Sequence, residues 1–149
     1  MRLATADDIE ALDWLQDLAR AGLVEARGGA LRLRECESIG DWSTALAAPE
    51  VLVLVGTLLD VVLSYMVTVM RPDIDRGVIT HAFVEEGARE LGLGDTMVEH
   101  AVAAVRAAAL GGIEAVALPG DRDTKNLYER AGLTARKITV YKALPPLDG

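Results

Sequence analysis

The spacing of apolar and polar residues divides the chain into helical and extended stretches. Ile9, Leu12, Leu15 and Leu18–Ala19 recur at helical spacing behind Thr5 and Asp8, a cap-like T-x-x-D pair, and predict a first helix that Gly22 would end. Arg27–Gly29 reads as a loop. Ala30–Glu35 (ALRLRE) alternates apolar and charged residues, the pattern of a half-exposed strand. Asp41–Ala48 suits a short helix stopped before Pro49. The next stretch, Val51–Met70, carries a single charge, Asp60. A membrane helix needs about 20 apolar residues and would have the same hydropathy. Against it, a charge at the bilayer centre costs roughly 3 kcal/mol, valine favours strands, and no basic flank sets an orientation. Two buried strands joined by a turn around Thr57–Asp60 account for the same residues.

Arg71–Gly77 is rich in turn formers, and Val78–Glu85 reads as a further strand. Gly94–Ala109 gives the clearest helix, with Met97, Val98, Ala101, Val102, Val105 and Ala108 on one apolar face and Gly111–Gly112 as its stop. Ile113–Leu118 predicts a short buried strand, and Asp123–Ala131 a helix ended by Gly132. Ala135–Ala143, with Ile138, Val140 and Tyr141, predicts a last strand, and residues 144–149 a frayed tail. The order implies one α/β domain over 1–149, with early strands paired antiparallel and a parallel strand–helix–strand crossover in the middle.

Composition narrows the function. With 149 residues, 51% of them hydrophobic, the chain can bury one sizeable core. A net charge of −8 argues against a nucleic-acid face, which needs clustered Lys and Arg. One cysteine, Cys36, excludes an internal disulfide and a multi-cysteine zinc site. No secretory signal is visible at the N-terminus, so the expectation is a soluble, cytoplasmic protein that neither binds nucleic acid nor enters a membrane.

The informative segment is Val84–Gly94, where a strand runs into a turn carrying Gly92 and Gly94 and then into the long helix. Glycine there lets backbone approach a ligand, and the free N–H groups of a helix's first turn favour an anion. A phosphate cradle and a ligand-free glycine turn both fit. G-x-G-x-x-G and the P-loop do not match. Arg89-Glu90-Leu91-Gly92-Leu93-Gly94 does match R/Q-x-x-G-x-G/A, and resembles the acyl-coenzyme-A signature of the GNAT acetyltransferase superfamily. Val84-x-x-x-x-Arg89 is similar to that family's strand ending, with Glu86 in place of its proline and Glu90 in place of its first glycine. Leu127-Tyr128-Glu129-Arg130-Ala131-Gly132-Leu133 resembles its L-Y-E-K-x-G-F element, and Arg2-Leu3-Ala4-Thr5 with Asp8 its opening. The resemblance spans nearly the whole chain, with residues 24–50 the least matched.

The resemblance implies a mixed, mostly antiparallel central sheet with a parallel acyl-CoA-binding core, and acetyl-CoA as cosubstrate. It would place the pyrophosphate on Arg89, Glu90, Leu91, Gly92, Leu93 and Gly94, and the pantetheine arm between Val78–Glu85 and Ile113–Leu118. A main-chain N–H near Val84 would polarise the thioester carbonyl, and Tyr128 would protonate the leaving thiolate. Asn126 is carried as a cofactor contact, while Asp121 stands at the spacing of the family's asparagine. Beside these roles, Tyr128 also reads as a core aromatic. For the general base the residues leave His81, Glu85 and Glu86 open, and His81 is equally a satisfied structural histidine. His81 and Glu85 supply only two ligands and His100 lies on a separate helix face, so no metal is expected. Residues 122–142 hold six cations against two anions, which suits either a phosphate-rich ligand or a solvated edge. The expected activity is transfer of an acetyl group from acetyl-CoA to an amine of a small molecule or protein. The alternatives are a non-catalytic acyl-CoA-binding sensor, which would dispense with Tyr128, and an interaction domain whose glycine turn binds nothing. The apolar strands also fit a homodimer.

Overall fold

A computed structural model describes residues 1–147. The chain opens with a two-residue strand, β1 (Arg2–Leu3), and a tight turn at Ala6–Asp8. The T-x-x-D pair forms a capping box there, and Asp8 also accepts two bonds from Arg2, at 2.6 and 2.8 Å. Helix α1 (Ile9–Val24) follows, then α2 (Gly29–Glu35) and α3 (Trp42–Ala47), the last capped by the Asp41 side chain. Strands β2 (Val51–Leu58), β3 (Val61–Arg71) and β4 (Arg76–Val84) form a meander. Helix α4 (Leu93–Ala107) crosses to β5 (Gly112–Ala115), and α5 (Arg122–Arg130) is the last regular element among the described residues.

The five strands lie in one sheet in chain order; all pairs are antiparallel except β4–β5. Val51–Met70 is therefore a hairpin. Its turn is Leu59–Asp60, both with positive φ (48° and 65°), the sense that matches strand twist. No helix among the described residues is long and apolar enough to cross a membrane.

The alternation of Tyr65, Met66 and Val67 in β3 serves two cores. Tyr65 and Val67 face α1 and α3 with Leu12, Leu15, Trp42, Val53 and Val55, and Trp42 meets Tyr65 edge-on at 5.8 Å. Met66 faces the other way, against Leu54, Ile79 and the α4 stripe of Met97, Val98 and Ala101.

Several sequence expectations are corrected. Ala30–Glu35 is helical, because Ala, Leu and Arg are strong helix formers and Gly28 (φ +82°) turns the chain so that α2 lies over β4, where Arg32 donates to the Thr80 carbonyl. Gly22 lies inside α1. Helix α4 ends before Gly111, with Ala109 taking the left-handed conformation (φ 57°). The strand expected over Ile113–Leu118 is paired only as Gly112–Ala115. Ala135–Ala143 forms no strand. Its apolar residues Ile138 and Val140 are 84% and 90% exposed, and among the described residues no neighbouring ladder receives its N–H and C=O groups. Residues 144–147 are likewise without regular structure, and residues 148–149 of the expected tail lie outside the described residues.

Candidate active site

The site begins with a strand that loses one neighbour. The β4–β5 ladder runs from Arg76↔Gly112 to Ile79↔Ala115 and stops, while β4 continues beside β3 as far as Val84↔Ser64. A bulge falls at this point, where the register passes from Thr68↔Ile79 to Val67↔His81 and leaves Thr80 without a partner. Bulges bend and twist a strand, which is what a notch between β4 and β5 requires. The Glu85 N–H donates to Leu63 O at 2.8 Å, so by alternation the N–H groups of Ala82 and Val84 point away from β3, into the notch.

Beyond Val84 the chain makes a tight turn over Glu86–Leu91 anchored by buried Ala88. Gly92 (φ +73°) then turns it into α4. A Cβ on Gly92 would meet nothing within 4 Å, so this is where a ligand can lie against backbone. Gly94 has different surroundings. A Cβ there would come within 3.1 Å of Leu127, so its bareness admits α5 against α4. Leu93 is half-buried, whereas Glu90 and Leu91 are exposed. Arg89 donates to Val84 O at 3.4 Å and lies 3.6 Å from Asp123, tying the turn to the first residues of α5.

The charge around the turn is less basic than the composition of residues 122–142 suggests. Arg130 is committed to Asp95 through two bonds of 2.9 and 3.1 Å, and Lys125 lies 3.6 Å from Glu129. Glu85 is spent on the turn itself, accepting from Gly87 N–H at 2.9 Å.

Behind the notch is a cleft of about 100 Å³ that reaches both sides of the sheet. Tyr128 and His81, the two residues expected to be catalytic, both line it, although they are far apart in sequence and sit on different elements. Glu85 and Glu86 do not line the cleft, and neither does Asn126, which is exposed on the outer face of α5. Tyr128 is 6% exposed, and among the described residues its hydroxyl has no hydrogen-bond partner. Burial raises it to about 12, against a smaller opposing effect of Arg32, so the phenol stays protonated at neutral pH.

His81 is held at both ring nitrogens. Nε2 lies 3.0 Å from Glu37 O and 3.5 Å from Cys36 Sγ, and Nδ1 lies 2.9 Å from Thr80 Oγ1. A carbonyl only accepts, so the geometry assigns the proton to Nε2 and leaves the Nδ1 lone pair on Thr80. Burial pulls its pKa below the ordinary histidine value, with Arg32 and Arg20 pulling the same way, and the ring is neutral at pH 7. Arg20, Arg32, Cys36, Tyr65 and Thr80 also line the cleft. None was visible as a site residue in the sequence. Arg32 lay in a stretch patterned as a strand, and Tyr65 inside an apolar run, where nothing sets one aromatic apart. Among the described residues no group of three or more metal-ligating side chains occurs.

No family model and no curated protein matches this sequence. Solved structures do match its fold. A variant of the BH1408 protein of Bacillus halodurans superposes with a TM-score of 0.77 at 19% identity, over 97% of this chain and 98% of that one. The aminoglycoside N-acetyltransferase AAC(6')-Iy in complex with CoA gives 0.72 at 10% identity, covering 97% and 98%. A protein described as a predicted acetyltransferase of Clostridium acetobutylicum, solved with acetyl-CoA, gives 0.67 at 15%, covering 95% and 94%. The fold of this chain, a mostly antiparallel sheet with one parallel pair, is that of the GNAT acetyltransferases.

Proposed function

We propose that this chain moves an acetyl group from acetyl-CoA to an amine. The observation that carries the reading is the interrupted β4–β5 ladder, with Tyr128 lining the cleft behind it and its hydroxyl without a hydrogen-bond partner among the described residues. An elongated thiol cosubstrate fits such a notch, because the outward N–H groups of β4 can bond it as a neighbouring strand would. The open face of Gly92 and the first turn of α4 then suit its phosphates. Side chains of the turn are net acidic, so the phosphate contacts fall to main-chain N–H groups and Arg89.

Acetyl-CoA supplies, when bound, an acyl carbon activated by its thioester. The N–H groups of Ala82 and Val84 are the donors available to the acyl oxygen as negative charge builds there. Tyr128 faces the departing sulfur. A phenol near 12 is a weaker acid than a thiol, whose ordinary pKa is about 8.5, so Tyr128 stabilises the sulfur by donating a hydrogen bond while keeping most of its proton. His81 can take the amine's proton only at Nδ1, by way of Thr80 Oγ1. That engagement of both His81 nitrogens is also what favours the second reading, a sensor that binds acyl-CoA without turning it over.

The test is calorimetry with coenzyme A followed by thiol release from acetyl-CoA over a panel of amines. Binding with amine-dependent release is expected. Absence of binding would remove the acetyl-CoA reading altogether, and binding without release from any amine would leave the sensor.

A further inference from the structure

The cleft is cationic on one side, in a chain that is otherwise acid-rich. Arg20 of α1 and Arg32 of α2 both line it on the α1–α2 side, and both are half-buried. Each is aimed by one bond to a main-chain carbonyl. Arg20 Nη1 donates to Cys36 O at 2.9 Å, and Arg32 Nη2 donates to Thr80 O at 2.8 Å. A guanidinium has five N–H donors, so each keeps most of its fork free. Among the described residues neither arginine forms an ion pair, although the sequence holds 23 carboxylate residues against 15 cationic ones. Two tyrosines complete this lining. Tyr65 is 1% exposed and Tyr128 6%, and neither hydroxyl has a partner among the described residues. Among the described residues the one carboxylate in the lining, Asp121, lies at the start of α5 and accepts from the Thr124 N–H at 3.0 Å.

We propose that the acceptor is an amine that also bears a carboxylate, of the amino-acid class, with the carboxylate held by Arg20 and Arg32 beside His81. A planar fork matches a carboxylate with two parallel bonds, which a half-buried setting strengthens. The same two positive charges disfavour an ammonium nearby, so they help keep the attacking amine neutral, the form that can react. They also repel a polycation. In this the cleft departs from what the name of one structural neighbour, an aminoglycoside acetyltransferase, would suggest for an acceptor. The proposal rests on the acetyl-transfer reading for the word acceptor. The recognition of a carboxylate is tested separately.

The experiment is calorimetry on the chain saturated with coenzyme A, titrated with glycine, alanine, serine and glutamate and with the corresponding amides. The free acids are expected to bind at least about tenfold more tightly than the amides, the yield of one charge-assisted contact. Arg20→Gln and Arg32→Gln should each erase that ratio and leave coenzyme A affinity unchanged, and Arg→Lys at either position should restore part of it. Because Arg32 also ties α2 to β4, Arg20→Gln serves as the variant that keeps the test open if Arg32→Gln does not fold. Equal or tighter binding of the amides overturns the proposal, as do a ratio unchanged in Arg20→Gln and a failure of every amino acid to bind. A loss of coenzyme A affinity in the Gln variants also overturns it, by assigning the arginines to the phosphates. Carboxylate-selective binding without any thiol release would sink the acetyl-transfer reading and leave this one standing. Release with amides and acids alike would do the reverse.

Discussion

Strand β4 has two neighbours, and they treat it differently. Towards β3 it is paired from Arg76 to Val84, and the side chains at that seam are buried, with Met66, Val67 and Tyr65 at 2% exposure or less. Towards β5 the pairing stops at Ile79, and the residues beyond face a cleft. On the closed side the main chain is paired along the ladder on both sides of the Thr80 bulge, so that side contributes stability. On the open side the strand presents outward N–H groups to a cleft lined by the Tyr128 hydroxyl and by two half-buried arginines that form no ion pair among the described residues, groups that a ligand can bond. Stability and binding have been assigned to opposite edges of one strand.

That division is testable, beginning with the largest effect expected. Tyr128→Phe should lower kcat by about 10²–10³-fold on an identified acceptor, the loss of one donor to developing charge, with acetyl-CoA affinity nearly intact. Its thermal stability should hold, because the ring keeps its packing and the lost hydroxyl has no hydrogen-bond partner among the described residues. A marked drop in melting temperature with full turnover would move Tyr128 to the structural side. On the closed side, Met66→Ala should cost about 2–5 kcal/mol in chemical denaturation and leave coenzyme A affinity per folded molecule unchanged. A change in that affinity would show that the two edges are coupled.

The two glycines of the turn sharpen the comparison at a smaller scale. Gly94→Val should act on stability, because its side chain would collide with Leu127. Gly92→Val should cost about 1–2 kcal/mol from the left-handed backbone and, in addition, weaken coenzyme A binding in calorimetry through its open face. Equal effects of the two on binding would contradict the different surroundings of the two sites. The smallest effect lies far from the notch. The Arg2 guanidinium and the Thr5 N–H hold Asp8 down to about 2, below its ordinary value. A carboxylate lowered on folding contributes stability above its unfolded pKa and loses it as pH falls through the folded one, here from about pH 4 towards 2. With Arg2 half-exposed, the contribution is about 1 kcal/mol after screening, and Asp8→Asn should flatten the pH dependence of unfolding in that window without touching the cleft.

Sequence by itself determined the features whose forces are local. The valine-rich apolar run of Val51–Met70, broken by a turn around Thr57–Asp60, made a hairpin, the period of 3.6 across Met97–Val105 made the buried face of α4, and Thr5 with Asp8 made a capping box. Each is settled by neighbours within a few residues, so each is legible in the chain. Tyr128 and His81 were legible as candidates, but not as occupants of one cleft. The tertiary structure alone decided what depends on a distant partner. ALRLRE alternates like a strand, and became a helix because Gly28 turns it onto β4 and Arg32 finds the Thr80 carbonyl there. Residues 135–143 alternate equally well and remain unpaired, because a strand exists only where another strand's N–H and C=O groups meet it. Gly94 reads in sequence as half of a phosphate cradle, and only the fold shows that Leu127 packs where its side chain would be. Arg20 and Arg32 carry no pattern at all in sequence. They form a cationic pocket only because α1 and α2 fold over the same bulge in β4, and a charge becomes a binding element when the fold denies it a counter-ion.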